Sequence, residues 1–172
     1  GGSTYGRLIT YTGSSDIQIL DNTMIGAATG SSTSSNLAAF YSQVSTGYPS
    51  GTWTVQGNSV TNVSYGFYLR GSSTTSMDTL YLEDNTLDTW YYGLYSYYNK
   101  NPKILNNTFN KLGGTTNIYG YNYLYYPSGH AEFKGNTVNG YRYGCYMYAS
   151  AGSQTWDVQD NVLNEVGYYG IY

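Results

Sequence analysis

The sequence predicts an all-β protein, a right-handed parallel β-helix of about six coils with three short strands in each. Three observations carry this reading. A Tyr-Gly pair recurs at Tyr5-Gly6, Tyr65-Gly66, Tyr92-Gly93, Tyr119-Gly120, Tyr143-Gly144 and Tyr169-Gly170, with gaps of 60, 27, 27, 24 and 26 residues. An asparagine closes a short apolar run at Asn22, Asn58, Asn85, Asn107, Asn136 and Asn161, with gaps of 36, 27, 22, 29 and 25. The apolar residues around these markers alternate with polar ones, which is the period of a half-buried strand and not of a helix. Two markers drifting together at one period mean stacked repeats, each able to bury its inner face only against the next.

The first strand of each coil runs up to the Asn. Three residues before it stand Ile19, Val55, Leu82, Ile104, Phe133 and Val158, and five before stand Ile17, Trp53, Leu80, Pro102, Ala131 and Trp156. Gln18, Thr54, Tyr81, Lys103, Glu132 and Asp157 lie between them and face outward. A bend follows at the Asn, a residue that tolerates positive φ and bonds its own backbone. The second strand carries Met24, Val60, Leu87, Phe109, Val138 and Leu163 two residues after the Asn. Ala27, Val63, Trp90, Leu112, Tyr141 and Val166 stand five after.

Tyr-Gly then leads into the third strand, the glycine suiting a tight turn where a Cβ would clash. Phe67 and Leu69, Leu94 and Ser96, Tyr121 and Tyr123, and Cys145 and Met147 are expected inside, with Tyr68, Tyr95, Asn122 and Tyr146 outside. The 60-residue gap hides a degenerate turn at Ser35-Asn36, followed by a strand over 37–41. Right-handedness follows from the crossover rule for parallel strands. Residues 26–34 and 111–118 lengthen one corner; 42–52, 71–78, 125–130 and 149–155 lengthen another. Insertions gathered on one side of a solenoid often border a binding face.

The 172 residues suit one domain, 1–172, read as a segment of a longer protein or as a stacking subunit. A formal net charge of −3, with 10% charged residues, argues against a phosphate-binding surface and so against a nucleic-acid partner. No stretch approaches the ~20 apolar residues of a membrane-spanning helix, and membrane insertion is not expected. The 24 tyrosines and 22 glycines would suit a low-complexity tract, but the aliphatic residues are phased, which a disordered chain does not need. One cysteine excludes an intrachain disulfide. Low charge with abundant Tyr, Ser, Thr and Asn fits an extracellular or cell-surface protein.

Three runs carry a resemblance: Val55-Gln56-Gly57-Asn58-Ser59-Val60 with Tyr65-Gly66-Phe67-Tyr68-Leu69, Leu82-Glu83-Asp84-Asn85-Thr86-Leu87 with Gly93-Leu94, and Phe133-Lys134-Gly135-Asn136-Thr137-Val138 with Gly144-Cys145. They resemble the parallel β-helix repeat of the pectin-lyase-like superfamily, over nearly the whole chain. The resemblance implies the fold. It leaves function to the site, because that family hosts lyases, hydrolases, epimerases, tailspikes and adhesins. Its pectate lyases need clustered carboxylates for calcium, whereas Asp21, Asp84 and Asp160 fall in coils at least two rungs apart. The paired Asp and His-Gly of polygalacturonase-like enzymes and the Asp-Pro-His of mannuronan epimerase-like enzymes do not occur. No catalytic residue, metal site or cofactor is therefore expected. His130, with Glu132 two residues on, reads as a solvated turn residue, and Cys145 as core. The Asn column reads as a structural amide ladder. Thr23, Ser59, Thr86, Thr108 and Thr137 form a hydroxyl column of β-formers.

The tyrosine rows are the candidate site. Tyr68, Tyr95 and Tyr146 in one outward row, with Tyr65, Tyr92 and Tyr143 beside it, offer aromatic surface to a polysaccharide or a neighbouring protein subunit. The chain thus reads as a non-enzymatic structural or adhesive β-helix, in a filament or surface appendage, with open strand edges that would allow head-to-tail stacking. A carbohydrate-binding module is the alternative. A fragment of a polysaccharide lyase, hydrolase or epimerase comes third.

Overall fold

The computed structural model of the chain describes residues 6–11, 16–30, 33–42, 50–72, 78–113, 120–149 and 154–172. Tyr5, Tyr119 and most of the expected corner insertions lie outside the described residues. Six parallel strands stack in chain order in one sheet: Ile17–Leu20, Thr52–Gln56, Thr79–Glu83, Pro102–Leu105, His130–Lys134 and Thr155–Gln159. Six stacked strands are joined by five full windings, slightly fewer than the coil count expected, with partial coils at either side.

The remaining strands share one 11-stranded sheet, because in two coils the second and third strands fuse. Ser59–Arg70 and Thr86–Tyr97 are 12-residue strands that run straight through Tyr-Gly. The expected tight turn at that dipeptide is therefore absent. What the glycine answers is a close approach. A Cβ on Gly66 would lie 2.6 Å from the Gly93 carbonyl oxygen and 2.6 Å from Leu87 Cδ2 in the core.

The inner columns form as the alternation requires. Ile19, Val55, Leu82, Ile104, Phe133 and Val158 pair in register through the six-stranded sheet. Met24, Val60, Leu87, Phe109, Val138 and Leu163 do so in the second. Val55, Leu82 and Ile104 expose no surface, and burying each such side chain contributes about 1.5–3 kcal/mol. The column five residues after the Asn does not hold. Asn62, at φ 57°, adds a residue to its coil, so Val63 pairs with Thr89 and Thr89 with Lys111. Trp90 and Leu112 are left half-buried, and Ala27 exposed.

The bend also differs from expectation. The residue ahead of the Asn takes the positive φ: Asp21, Gly57, Asp84, Asn106, Gly135 and Asp160, at 53–67°. The Asn is thereby freed to turn inward. From Asn22 to Asn161, each Nδ2 donates to the next coil's Asn Oδ1 at 2.9–3.1 Å. That Oδ1 also accepts the backbone N–H of the same donor residue. From Asn58 onward the amide also donates to the carbonyl of Ile19, Val55, Leu82, Ile104 or Phe133 one coil back. Each inner amide is thus satisfied, as burial demands. Asn110, Asn139 and Asn164 build a second, outer amide ladder that ends on Asp88 Oδ1.

The degenerate coil is shifted by three residues. Ala38 pairs with Tyr65 and Phe40 with Phe67, so Ala38-Ala39, and not Ser35-Asn36, occupies the Tyr-Gly place. Residues Ser35–Leu37 form a single 3₁₀ turn ahead of it.

Candidate functional site

The third strand builds the tyrosine face. Gly66 and Phe67 both face the core, which makes a local bulge. Strict alternation would place Tyr65 and Tyr68 on opposite sides, three residues apart; the bulge brings both outside. The same four-residue unit recurs as Tyr92-Gly93-Leu94-Tyr95, Tyr143-Gly144-Cys145-Tyr146 and Tyr169-Gly170-Ile171-Tyr172. In the coil between the Tyr92 and Tyr143 units, Tyr121-Asn122-Tyr123 fills the same place with one residue fewer. Tyr121 pairs with Tyr92 and Tyr143, and Tyr123 with Tyr95 and Tyr146. The expected facing of this strand, Asn122 outside with Tyr121 and Tyr123 inside, is thus reversed. Asn122 and Leu124 are buried, Tyr123 continues the outward row, and Asn122 Nδ2 donates to the Gly144 carbonyl at 2.9 Å.

Three columns of rings result. One runs Tyr41, Tyr68, Tyr95, Tyr123, Tyr146, Tyr172, with successive centroids 5.1, 4.8, 6.2, 4.9 and 4.9 Å apart. A second runs Tyr65, Tyr92, Tyr121, Tyr143, Tyr169 at 4.8, 5.3, 4.7 and 5.5 Å. A third runs Tyr97, Tyr125, Tyr148 at 5.5 and 4.8 Å. All six expected residues are brought together here. Tyr41, Tyr97, Tyr121, Tyr123, Tyr125 and Tyr148 were not read from the sequence as part of the site. For Tyr97, Tyr125 and Tyr148 the signal is the alternation two residues beyond the outward row; Tyr41, Tyr121 and Tyr123 stand outside the Tyr-Gly-apolar-Tyr pattern.

The rings do not lie flat on the surface. Tyr68 stacks on Tyr95 at an interplanar angle of 6°, and Tyr65 on Tyr92 at 9°. Their faces cover each other along the solenoid axis, so at the half-buried Tyr68 and Tyr95 ring edges and hydroxyls meet the solvent. Tyr65 and Tyr92 are in fact buried, not exposed as the row was expected to be. Burial holds their phenols far above the ordinary range, and does the same to a smaller extent at Tyr68, Tyr95 and Tyr146. The parallel stack of the first column breaks at Tyr123, which stands at 77° to Tyr95 and 88° to Tyr146. There Tyr95, Tyr97, Tyr123 and Tyr125 line a shallow recess of about 310 Å³. All three arginines of the chain rest on this face: Arg7 over Tyr41 at 3.5 Å, Arg70 over Tyr97 at 5.1 Å and Arg142 over Tyr168 at 5.1 Å.

The stacked parallel strands, the repeating bend and the inner amide ladder agree with the match of residues 7–172 to the right handed beta helix region. The chain belongs to the right-handed β-helix family. Comparison with curated proteins and with solved structures gives no match.

The six-stranded sheet of this β-helix carries a polar cluster. His130, Glu132 and Asp157 hold ligand-type atoms within 4.8 Å of one another. His130 opens the strand His130–Lys134, its Nδ1 2.7 Å from Thr155 Oγ1, and so is not a turn residue. Lys134 bridges Glu132, at 2.8 Å, and Asp157, while Lys103 lies 3.4 Å from Glu132. The hydrogen bond from Lys134 draws the Glu132 carboxyl below its usual range. A general acid needs the opposite shift. Two lysines already neutralise the charge that a cation would balance.

Proposed function

We propose that this β-helix is a non-enzymatic structural and adhesive module of the extracellular space or cell surface, with the tyrosine face as its contact surface. The observation that carries the reading is the continuity of that face: rung after rung presents ring edges and hydroxyls on a rigid sheet. Tyrosine offers large contact area at low conformational cost and a hydroxyl that can donate or accept. The partner is a polysaccharide or a neighbouring protein chain. Retention of the purified chain on polysaccharide and protein films, followed by quartz-crystal microbalance, tests it. Replacing Tyr97, Tyr125 and Tyr148 together by Ser is expected to release the protein on rinsing with its circular dichroism unchanged. Retention equal to that of the parent would overturn the proposal.

The recess at Tyr123 supports a second reading, carbohydrate binding at a defined site. The column rings have their faces covered, so a sugar would seat where the stack opens, against Tyr95, Tyr97, Tyr123 and Tyr125. Chemical-shift changes confined to those residues on adding oligosaccharide, lost in Tyr125→Ala, are the expected result. Shifts absent or spread over the whole surface would end this reading.

A further inference from the structure

We propose that the tyrosine face is a site of oxidative cross-linking, in which a one-electron oxidant joins stacked rings of neighbouring coils into dityrosine, Tyr125 with Tyr148 foremost. This goes beyond the adhesive role and holds whatever the face binds.

The argument is geometric. Dityrosine needs two phenoxyl radicals within reach of one another. On most surfaces a tyrosyl radical must wait for a collision with another molecule. Here every ring of the three columns has a phenol neighbour with its centroid 4.7–6.2 Å away. Tyr125 and Tyr148 sit in register on adjacent strands, with centroids 4.8 Å apart and planes 17° from parallel. Tyr148 is 41% exposed, so an oxidant can reach it and its ring has room to turn. Tyr126 lies against both, at 4.6 and 5.2 Å, and widens the target. Tyr65 and Tyr92 are buried and are less available.

The chemistry balances with a peroxidase and hydrogen peroxide. Each phenol loses one electron and its hydroxyl proton. The two radicals join through a bond between their Cε carbons, and the ring hydrogens displaced there return as protons to the two oxygens. Two electrons and two protons leave the pair in all. The peroxide O–O bond breaks and takes them up as two waters. The product staples one coil to the next.

The test treats the intact chain with peroxidase and one equivalent of peroxide, then digests it with trypsin. Lys134 and Arg142 separate the two tyrosines, so the product is peptide 112–134 joined to peptide 143–172. The expected result is dityrosine fluorescence in a band that still runs as one chain, with a yield per chain unchanged on tenfold dilution. Fragmentation should place the link at Tyr125 and Tyr148. Tyr125→Phe with Tyr148→Phe keeps the rings and their packing but removes the hydroxyls, and should lower the yield and leave only linked peptides that fragmentation places at Tyr121 with Tyr143 or Tyr123 with Tyr146. Cross-links confined to dimers, a yield that falls on dilution, or a yield unaffected by the two Phe substitutions would each overturn the proposal.

Discussion

Consider the substitution Asn85→Ala in the middle of the inner amide ladder. Asn85 Oδ1 accepts the Asn58 backbone N–H at 3.0 Å and the Asn58 amide at 2.9 Å. Its own amide donates to the Val55 carbonyl at 2.8 Å and to Asn107 Oδ1 at 2.9 Å. Asn58 and Asn85 are each 1% exposed, so water does not replace what is lost. One buried backbone donor is orphaned, and three further hydrogen bonds lose a partner. An orphaned buried group costs about 1–3 kcal/mol, and the Asn58 amide keeps other acceptors, so the expected loss is about 2–4 kcal/mol. At about 2–4 °C per kcal/mol for a chain of this size, Tm should fall by about 4–16 °C. Asn22→Ala is the control. It removes the same residue from the same column, but Asn22 is exposed at the first rung and water can take over its partners. Chemical denaturation of both variants reads the difference directly. Equal losses, or a loss at Asn85 below about 1 kcal/mol, would refute the idea that buried amide pairing and not mere column position gives the ladder its worth.

The phenols give a pH prediction. Burial raises the folded-state pKa of Tyr65, Tyr92 and Tyr123 above the unfolded value of about 10. Their stabilising contribution is then complete below pH 10 and is lost as pH climbs through and above it. An absorbance titration should show a group of tyrosines ionising only as circular dichroism is lost; ionisation of all of them near pH 10 in a folded chain would contradict this. Gly93→Ala would drive a methyl to 2.8 Å from both Phe109 Cδ1 and Tyr141 Oη, and closer still to Asn122 Oδ1. Overpacking of that kind costs about 1–3 kcal/mol, measurable by urea denaturation. Lys134→Ala should return the Glu132 carboxyl upward toward its ordinary range, seen as a later midpoint in an NMR titration. Glu132 is held low, so any support it gives the fold is present above the unfolded carboxylate range and fades as pH falls through its folded value.

The sequence alone determined the solenoid, its first strand and its inner columns at Val55, Leu82 and Ile104. In a parallel stack the spatial neighbour of a residue is its counterpart one repeat on. A marker that recurs at that interval therefore reports a contact as well as a pattern. The Asn ladder was legible for the same reason, although which bend residue takes the positive φ was not. That depends on turning the amide inward, and only the buried carbonyls one coil away make the inward turn favourable. The tyrosine face was half legible. Tyr65, Tyr68, Tyr92, Tyr95, Tyr143 and Tyr146 could be assigned to it, but Tyr123 could not. A slip of one residue exchanges the two faces of a strand. One coil absorbs that residue as a bulge at Gly93, while the next omits it at Asn122, whose side-chain amide turns inward to the Gly144 carbonyl. Ring orientation belongs to the tertiary structure too, since each phenol turns to fit the phenols above and below. That packing is what covers the ring faces and leaves edges and hydroxyls as the surface the molecule presents.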